Sequence, residues 1–307
     1  EYLEGHRGDG DPGADLVLTD VYLKGELHLQ DDNRTLALST YCREREEAFY
    51  LYDLNEFSRR ATYYKSCFRK TDTIHFAMKS NSHSRYLKAA KEAGLGLDLV
   101  SGGELQKALD AGFERNRLIF SGVGKSKKSI ELSLEEPISQ INVESPMELL
   151  RIAQTAKSMK KSARVAFRYN PNVSADTHPY IRTGFKENKF GMDESFLPEL
   201  TSILEQNKES LQLVGMTLHI GSQILSVDSL VEAVEKTIPV YNYFKELGHA
   251  LETFDIGGGL GIDYENDASE EEFNRVKKFA TRVIPLLEPL GCRILCEPGR
   301  FLTARSG

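Results

Sequence analysis

The chain has 307 residues, 40% hydrophobic and 28% charged, an ordinary globular composition with ample material for a core. A formal net charge of −7 and a pI near 5.6 argue against nucleic acid or an anionic membrane surface as the main partner. No apolar run reaches the roughly 18 residues of a membrane span, nothing reads as a signal peptide, and Cys42, Cys67, Cys292 and Cys296 read as reduced thiols of a cytoplasmic protein.

In chain order, residues 1–15 are rich in Gly, Asp and Pro and read as a flexible leader. Residues 16–48 suggest short strands at 16–18, 21–23 and 36–38, with a turn at Lys24 and Gly25 and no obvious sheet partner elsewhere in the chain. Residues 49–52 read as a strand and 55–68 as a helix. Short apolar runs then alternate with helical stretches, at 74–79, 95–100, 117–121, 139–143, 164–169, 213–219, 253–256 and 293–296. Helix starts are well marked. Ser101 with Glu104, Ser145 with Glu148 and Ser269 with Glu272 each fit a capping box, and Pro146 takes the first helical position of the second. Leu230, Val231, Val234, Ile238, Tyr241 and Phe244 form one apolar helical face.

Strand and helix alternating at this pitch imply parallel βαβ units, and eight of them close into a (β/α)8 barrel of TIM type. A doubly wound open sheet is the alternative. It is weakened because no G-x-G-x-x-G follows the first strand.

Barrel chemistry sits at the carboxyl ends of the strands. Those ends carry Lys79, Asp98 with Ser101, Ser121, Glu144, Arg168 with Asn170, His219 with Ser222, Asp255 before Gly257, Gly258 and Gly259, and Glu297 before Pro298, Gly299 and Arg300. Lys79 is either a solvated strand end or, in a partly apolar concave place, a nucleophilic amine with a depressed pKa. The glycine run is either a tight turn needing positive φ or a nest of N–H groups for a phosphate, with Arg300 close by. His219 is either a satisfied structural histidine or a face for a flat ligand. Glu297 either bridges across the rim or holds a proton on a heteroaromatic nitrogen. The long loop over 170–192 reads as a lid or substrate loop. No His, Asp and Glu cluster has metal-ligand spacing, so no metal is expected.

These features resemble the fold-type III pyridoxal-phosphate decarboxylases. The matching stretches are 76–81 (FAMKSN), 96–111 (GLDLVSGGELQKALDA), 120–125, 168–191, 219–224, 255–264 and 297–300. Thr177, His178, Pro179 and Tyr180, with the segment 184–191, favour the diaminopimelate branch over the ornithine and arginine branches. The resemblance implies pyridoxal 5'-phosphate as cofactor, bound covalently to Lys79. His219 would pack on its ring and Glu297 would sit at the ring nitrogen. Ser222, Gly258, Gly259 and the turn of Glu297, Pro298, Gly299 and Arg300 would hold phosphate and ring. Asp98 and Arg168 match positions near the cofactor, and Arg300 would also reach the substrate carboxylate. An acid at 297, where related racemases have an arginine, favours loss of CO2 over racemisation.

The implied reaction is decarboxylation of meso-diaminopimelate, a small diamino dicarboxylic acid, to L-lysine and CO2, the last step of lysine biosynthesis. The implied assembly is a homodimer with shared active sites. Alternatives are decarboxylation of ornithine or arginine, or a non-catalytic regulator that kept the fold. The family pattern adds a C-terminal β-domain after residue 300 that completes the site with a cysteine and a tyrosine. Residues 49–300 would then be the cofactor-binding barrel, 16–48 strands belonging to the β-domain, and 301–307 the start of that mostly missing domain. Residues 45–48 read Arg-Glu-Glu-Ala where the family has Gly-Thr-Pro.

Overall fold

The computed structural model describes residues 19–23, 26–30, 35–43, 49–173, 190–265 and 269–307. The expected leader, the strand at 16–18, the turn at 24–25, residues 45–48 and the loop motifs at 177–180 and 184–189 lie outside them. Strands β1 (Thr19–Leu23), β2 (Glu26–Gln30) and β3 (Thr35–Ala37) form an antiparallel sheet in that order, so they do have partners: one another. Leu38, expected in the third strand, opens helix α1 (Leu38–Arg43) instead.

The eight predicted runs form a closed parallel barrel. Its strands are β4 (Thr73–Ala77), β5 (Gly96–Leu99), β6 (Leu118–Phe120), β7 (Gln140–Val143), β8 (Ala163–Tyr169), β9 (Leu211–Leu218), β10 (Thr253–Asp255) and β11 (Arg293–Cys296). They follow chain order around the barrel, and pairing of Leu295 with Thr73 and Cys296 with Ile74 closes it. The helices are α2 (Leu54–Ser66), α3 (Ser84–Glu92), α4 (Gly102–Asp110), α5 (Lys127–Leu134), α6 (Pro146–Met159), α7 (Leu197–Gln206), α8 (Val227–Glu246), α9 (Ser269–Leu287) and α10 (Arg300–Thr303). None of those described is long and apolar enough to cross a membrane.

Residues 49–52 form no strand. Their apolar run suits one, yet β11 and β4 pair with each other and leave no barrel edge to join. The segment is tied instead to the chain end, where the Asp53 N–H donates to the Ser306 carbonyl at 2.7 Å. Residues 301–307 pack on the barrel: Phe301, Leu302 and Ser306 are buried, and the Ser306 and Tyr86 hydroxyls lie 2.7 Å apart.

The strand alternation sorts side chains to two faces. On the outer face Phe76 packs edge-on to Phe57 of α2 and Phe167 to Phe244 of α8, with ring centroids 5.1 and 5.3 Å apart. The inner face is polar where barrels usually carry branched apolar residues. Thr253 of β10 donates to Gln140 of β7 at 2.7 Å, and Asn142 of β7 reaches Glu297 beyond β11 at 3.2 Å, both across the barrel.

Ser101 and Ser145 cap α4 and α6 by accepting from the Glu104 and Glu148 N–H groups. Each glutamate reaches back one residue beyond the cap, to the Val100 and Glu144 N–H groups, at 2.7 Å. The third expected box falls at the start of α9, whose first described residue is Ser269; the Ser269 side chain lies outside the described residues. Glu272 is drawn into the core. It pairs with the fully buried Arg60 at 2.8 Å and with Arg305 at 2.8 Å. Arg60 also donates to Glu56 at 2.6 Å and to the Phe301 carbonyl at 3.1 Å. Arg60→Met strands part of that buried charge and should lower stability by about 3 kcal/mol. Urea unfolding measures it; a loss below about 1 kcal/mol would show the pair to be solvated.

Candidate active site

The strand carrying Lys79 ends at Ala77, and Lys79 sits in a 3-10 turn over Met78–Ser80 rather than in the strand. This turn lifts its half-exposed amine over the barrel mouth, 3.4 Å from the Asp98 carboxylate. Burial alone would depress the amine, as the sequence suggested. The Asp98 and Glu297 carboxylates outweigh it, and the Lys79 pKa is raised.

Beneath Lys79 three carboxyl groups crowd the barrel interior. Asp98 and Asp255 are fully buried and Glu297 nearly so. Burial, then the charges of Asp255 and Asp98, push the Glu297 pKa well above the carboxylate range. Burial also raises Asp255, to about 6, while hydrogen bonds from Glu297, the Gly257 N–H and Asn142 oppose the shift. Glu297 therefore keeps a proton and shares it with Asp255, because two adjacent carboxylates cannot both ionise cheaply in a low-dielectric interior. Asn142 locks the arrangement. Its amide donates to Ser121 at 3.0 Å and to Glu297 at 3.2 Å, while its oxygen accepts from Gln140 at 2.8 Å. One oxygen of Asp98 is buried without any partner among the described residues.

His219 follows β9. Its Nδ1 accepts the Gly258 N–H at 3.4 Å. Burial, helped by Arg168 and Lys79, pushes its pKa down to about 3, so the imidazole is neutral. The glycine run is required by close approach. A Cβ on Gly258 would strike the Glu297 carbonyl oxygen, and Gly257 stands at φ +64°. Two of its three N–H groups are engaged, Gly257 by Asp255 and Gly258 by His219. The Gly259 N–H has no partner among the described residues, nor have those of Gly299 and Arg300.

These groups surround one cavity of about 510 Å³, well within the usual range for ligand sites of about 300–1,000 Å³. Of the expected residues, Lys79, His219, Ser222, Gly259, Glu297, Gly299 and Arg300 line it. Arg168 lines a smaller pocket that shares Lys79, His219 and Glu297, and its guanidinium is paired with Glu144 at 2.6 Å. Gly258 and Pro298 act through backbone: the Pro298 carbonyl accepts the Ala77 N–H at 3.1 Å and ties the Arg300 turn to the Lys79 turn. Arg300 donates to the Tyr264 hydroxyl at 2.5 Å, and its Nε is buried without a partner among the described residues.

Asn142, Tyr50 and Tyr52 were not singled out as site residues. Asn142 reads as an interior strand residue, and the two tyrosines read as part of a strand. The only cue available was an asparagine and a glutamine alternating on one face of a short strand.

Pyridoxal phosphate fits this donor set. The site offers a free amine, a surplus of buried carboxyl groups suited to a cationic ring nitrogen, and unpartnered N–H groups on one wall for an anion. The comparisons agree. Residues 54–304 match the family model for the pyridoxal-dependent decarboxylase pyridoxal-binding domain. A diaminopimelate decarboxylase of Helicobacter pylori is 41% identical over 260 residues, covering 84% of this chain and 63% of that protein. One from Campylobacter jejuni is 37% identical over 266 residues, covering 86% of this chain and 65% of that protein. The crystal structure of a Helicobacter pylori diaminopimelate decarboxylase complexed with L-lysine superposes with a TM-score of 0.79 at 39% identity, covering 88% of this chain and 67% of that one. The chain thus spans less than two thirds of the length of these curated relatives. With a closed eight-stranded barrel and a family match over residues 54–304, the chain belongs to the pyridoxal-dependent decarboxylases through their pyridoxal-binding domain.

Proposed function

We propose that the protein containing this chain decarboxylates meso-diaminopimelate to L-lysine and CO2 in the cytoplasm, using pyridoxal 5'-phosphate. The observation that carries this reading is the single amine of Lys79 poised over three buried carboxyl groups in a cavity with a neutral imidazole on its wall. The relatives named as diaminopimelate decarboxylases support the substrate, as does the neighbour complexed with L-lysine. Four free thiols suit the compartment.

Lys79 would hold the cofactor through Nζ. His219, neutral at working pH, would lie against its ring without adding charge. Gly259, Gly299, Arg300 and the Ser222 hydroxyl would donate to its phosphate. When bound, pyridoxal phosphate supplies the electron sink for the bond pair left as CO2 departs. Glu297 decides how deep that sink is. Its retained proton can pass to the ring nitrogen, where the cation so formed would offset the Glu297 carboxylate left beside Asp255 and Asp98. Arg300, with an unused Nε, offers the substrate a carboxylate partner. Asp98 keeps the Lys79 amine charged whenever it is free, so Lys79 Nζ can return a proton to the substrate carbon. The exposed rings of Tyr50 and Tyr264 at the cavity rim are the surface that a second domain or the partner subunit of a homodimer would cover.

Assay of CO2 release by the full-length protein tests the proposal. The expected result is turnover of meso-diaminopimelate preferred by at least about 100-fold over ornithine and arginine; the reverse preference would overturn the substrate. Lys79→Ala should abolish both turnover and the cofactor adduct that borohydride fixes to the Lys79 peptide. Persistence of the adduct would move the attachment point elsewhere. Glu297→Gln should lower kcat by about 10²–10⁴-fold with a smaller change in KM, and an unchanged kcat would remove Glu297 from the proton path. Asp255 titrates near 6 folded and 3.8 unfolded, so the cofactor-free fold loses stability as pH rises from about 4 to about 6. Asp255→Asn should flatten that slope in thermal melts of the cofactor-free protein, whereas a slope left unchanged would assign it to other groups.

A further inference from the structure

A second cavity, of about 290 Å³, opens at the other end of the barrel. It lies among residues at the starts of β4, β6, β7, β8 and β11. Three arginines line it, Arg117, Arg164 and Arg293, together with His75 and Thr73, and its lining includes no Asp or Glu. The nearby acid, Glu252, is already held by both terminal nitrogens of Arg164, at 3.1 and 2.8 Å. The third nitrogen of Arg164 donates to the Ser139 carbonyl at 3.1 Å, and Arg117 donates to the Gly94 carbonyl.

Arg293 differs. Its guanidinium makes no hydrogen bond among the described residues, and its Nε is buried. Two more buried polar atoms around the same cavity have no hydrogen-bond partner among the described residues, Thr73 Oγ1 and His75 Nδ1, and His75 is only 2% exposed. Three buried, unpartnered polar atoms around one cavity call for an occupant, since such groups are otherwise costly. Water could satisfy individual atoms. It would still leave a net positive charge over Arg117 and Arg293, because Glu252 faces Arg164 and Arg293 together; burial first, and then these two arginines, hold the His75 ring uncharged. An occupant that balances both is an anion with several acceptor oxygens, which suits a guanidinium and a hydroxyl donor. Asn116 at the rim is exposed, so the cavity can be reached from solvent.

We propose that this cavity binds a small phosphate-type oxyanion, free or as the phosphate of a small ester, at the barrel end opposite the candidate active site. Arg293 is its principal ligand, with Arg117 and the Thr73 hydroxyl beside it. The site is separate from the cofactor's phosphate donors, which lie on the loops at the carboxyl ends of β10 and β11.

The test uses full-length protein saturated with pyridoxal phosphate, so that the donors at Gly259 and Arg300 are occupied. Inorganic phosphate and glycerol 3-phosphate are titrated separately at constant ionic strength made up with chloride, and the His75 imidazole signals are followed by NMR. Saturable movement of those signals is expected with at least one of the two probes, and the tighter one identifies the source. Arg293→Met should weaken binding at least tenfold, and Arg117→Met by less; both are judged only if circular dichroism matches the parent. Arg293→Lys, which keeps the charge, should retain part of the affinity and serves if Arg293→Met does not fold. No saturable movement with either probe, or binding that neither Arg293→Met nor Arg117→Met weakens, would overturn the assignment.

Discussion

Three carboxyl groups share one barrel interior with a single amine above them, and the chemistry of the site follows from that crowding. Asp98 comes from β5, which pairs directly with β4, whereas Asp255 of β10 and Glu297 after β11 come near Lys79 because β11 closes the barrel on β4. Their mutual repulsion in a buried place keeps a proton on Glu297. Asp98, by charge and hydrogen bond, is foremost in holding Lys79 in its ammonium form against the pull of burial. A cationic ring nitrogen placed among the carboxyls would relieve the repulsion, so the binding of cofactor and the deepening of its electron sink draw on one source.

The apparatus that holds the carboxyls in place is structural in origin. Asn142 bonds across the barrel to Glu297, Gln140 steadies Asn142, and Thr253 steadies Gln140. A satisfied polar chain of this kind fixes side chains more tightly than an apolar filling would. On the neighbouring side, fully buried Lys125 donates to the Gly122 and Asn142 carbonyls at 2.7 and 2.6 Å and to Glu148 at 3.0 Å. Glu148 in turn accepts the Glu144 N–H, and Glu144 grips Arg168. Burial depresses the Lys125 amine while Glu148 supports its charge. Arg168 thereby stands at the pocket edge as a fixed charge that adds to burial in keeping His219 neutral.

Much of this was legible from the sequence. The eight strands read out because short apolar runs alternate with helical stretches, and Lys79, His219 and Glu297 stand at or just past their ends. The rest depends on closure, which no local pattern reports. Asn142 is inconspicuous until a strand from the opposite wall brings Glu297 to it. Residues 49–52 carry a strand pattern, yet the edge they would join is consumed by β4 and β11. Ser269 has the right spacing for a cap, but Arg60 and Arg305 claim Glu272. The depressed amine expected for Lys79 considered burial and not the carboxyls beneath it. Arg117, Arg164 and Arg293 open three of the predicted strands, and the folded barrel gathers them around one cavity.

The central claim is that Glu297 and Asp255 together deliver a proton to the nitrogen of the bound cofactor ring. The most direct measurement is the 15N chemical shift of ring-labelled pyridoxal phosphate bound to the full-length protein near pH 7. A shift of pyridinium type that moves to the neutral pyridine range in Glu297→Ala is the predicted result. A neutral pyridine shift in the unmodified protein would contradict the account.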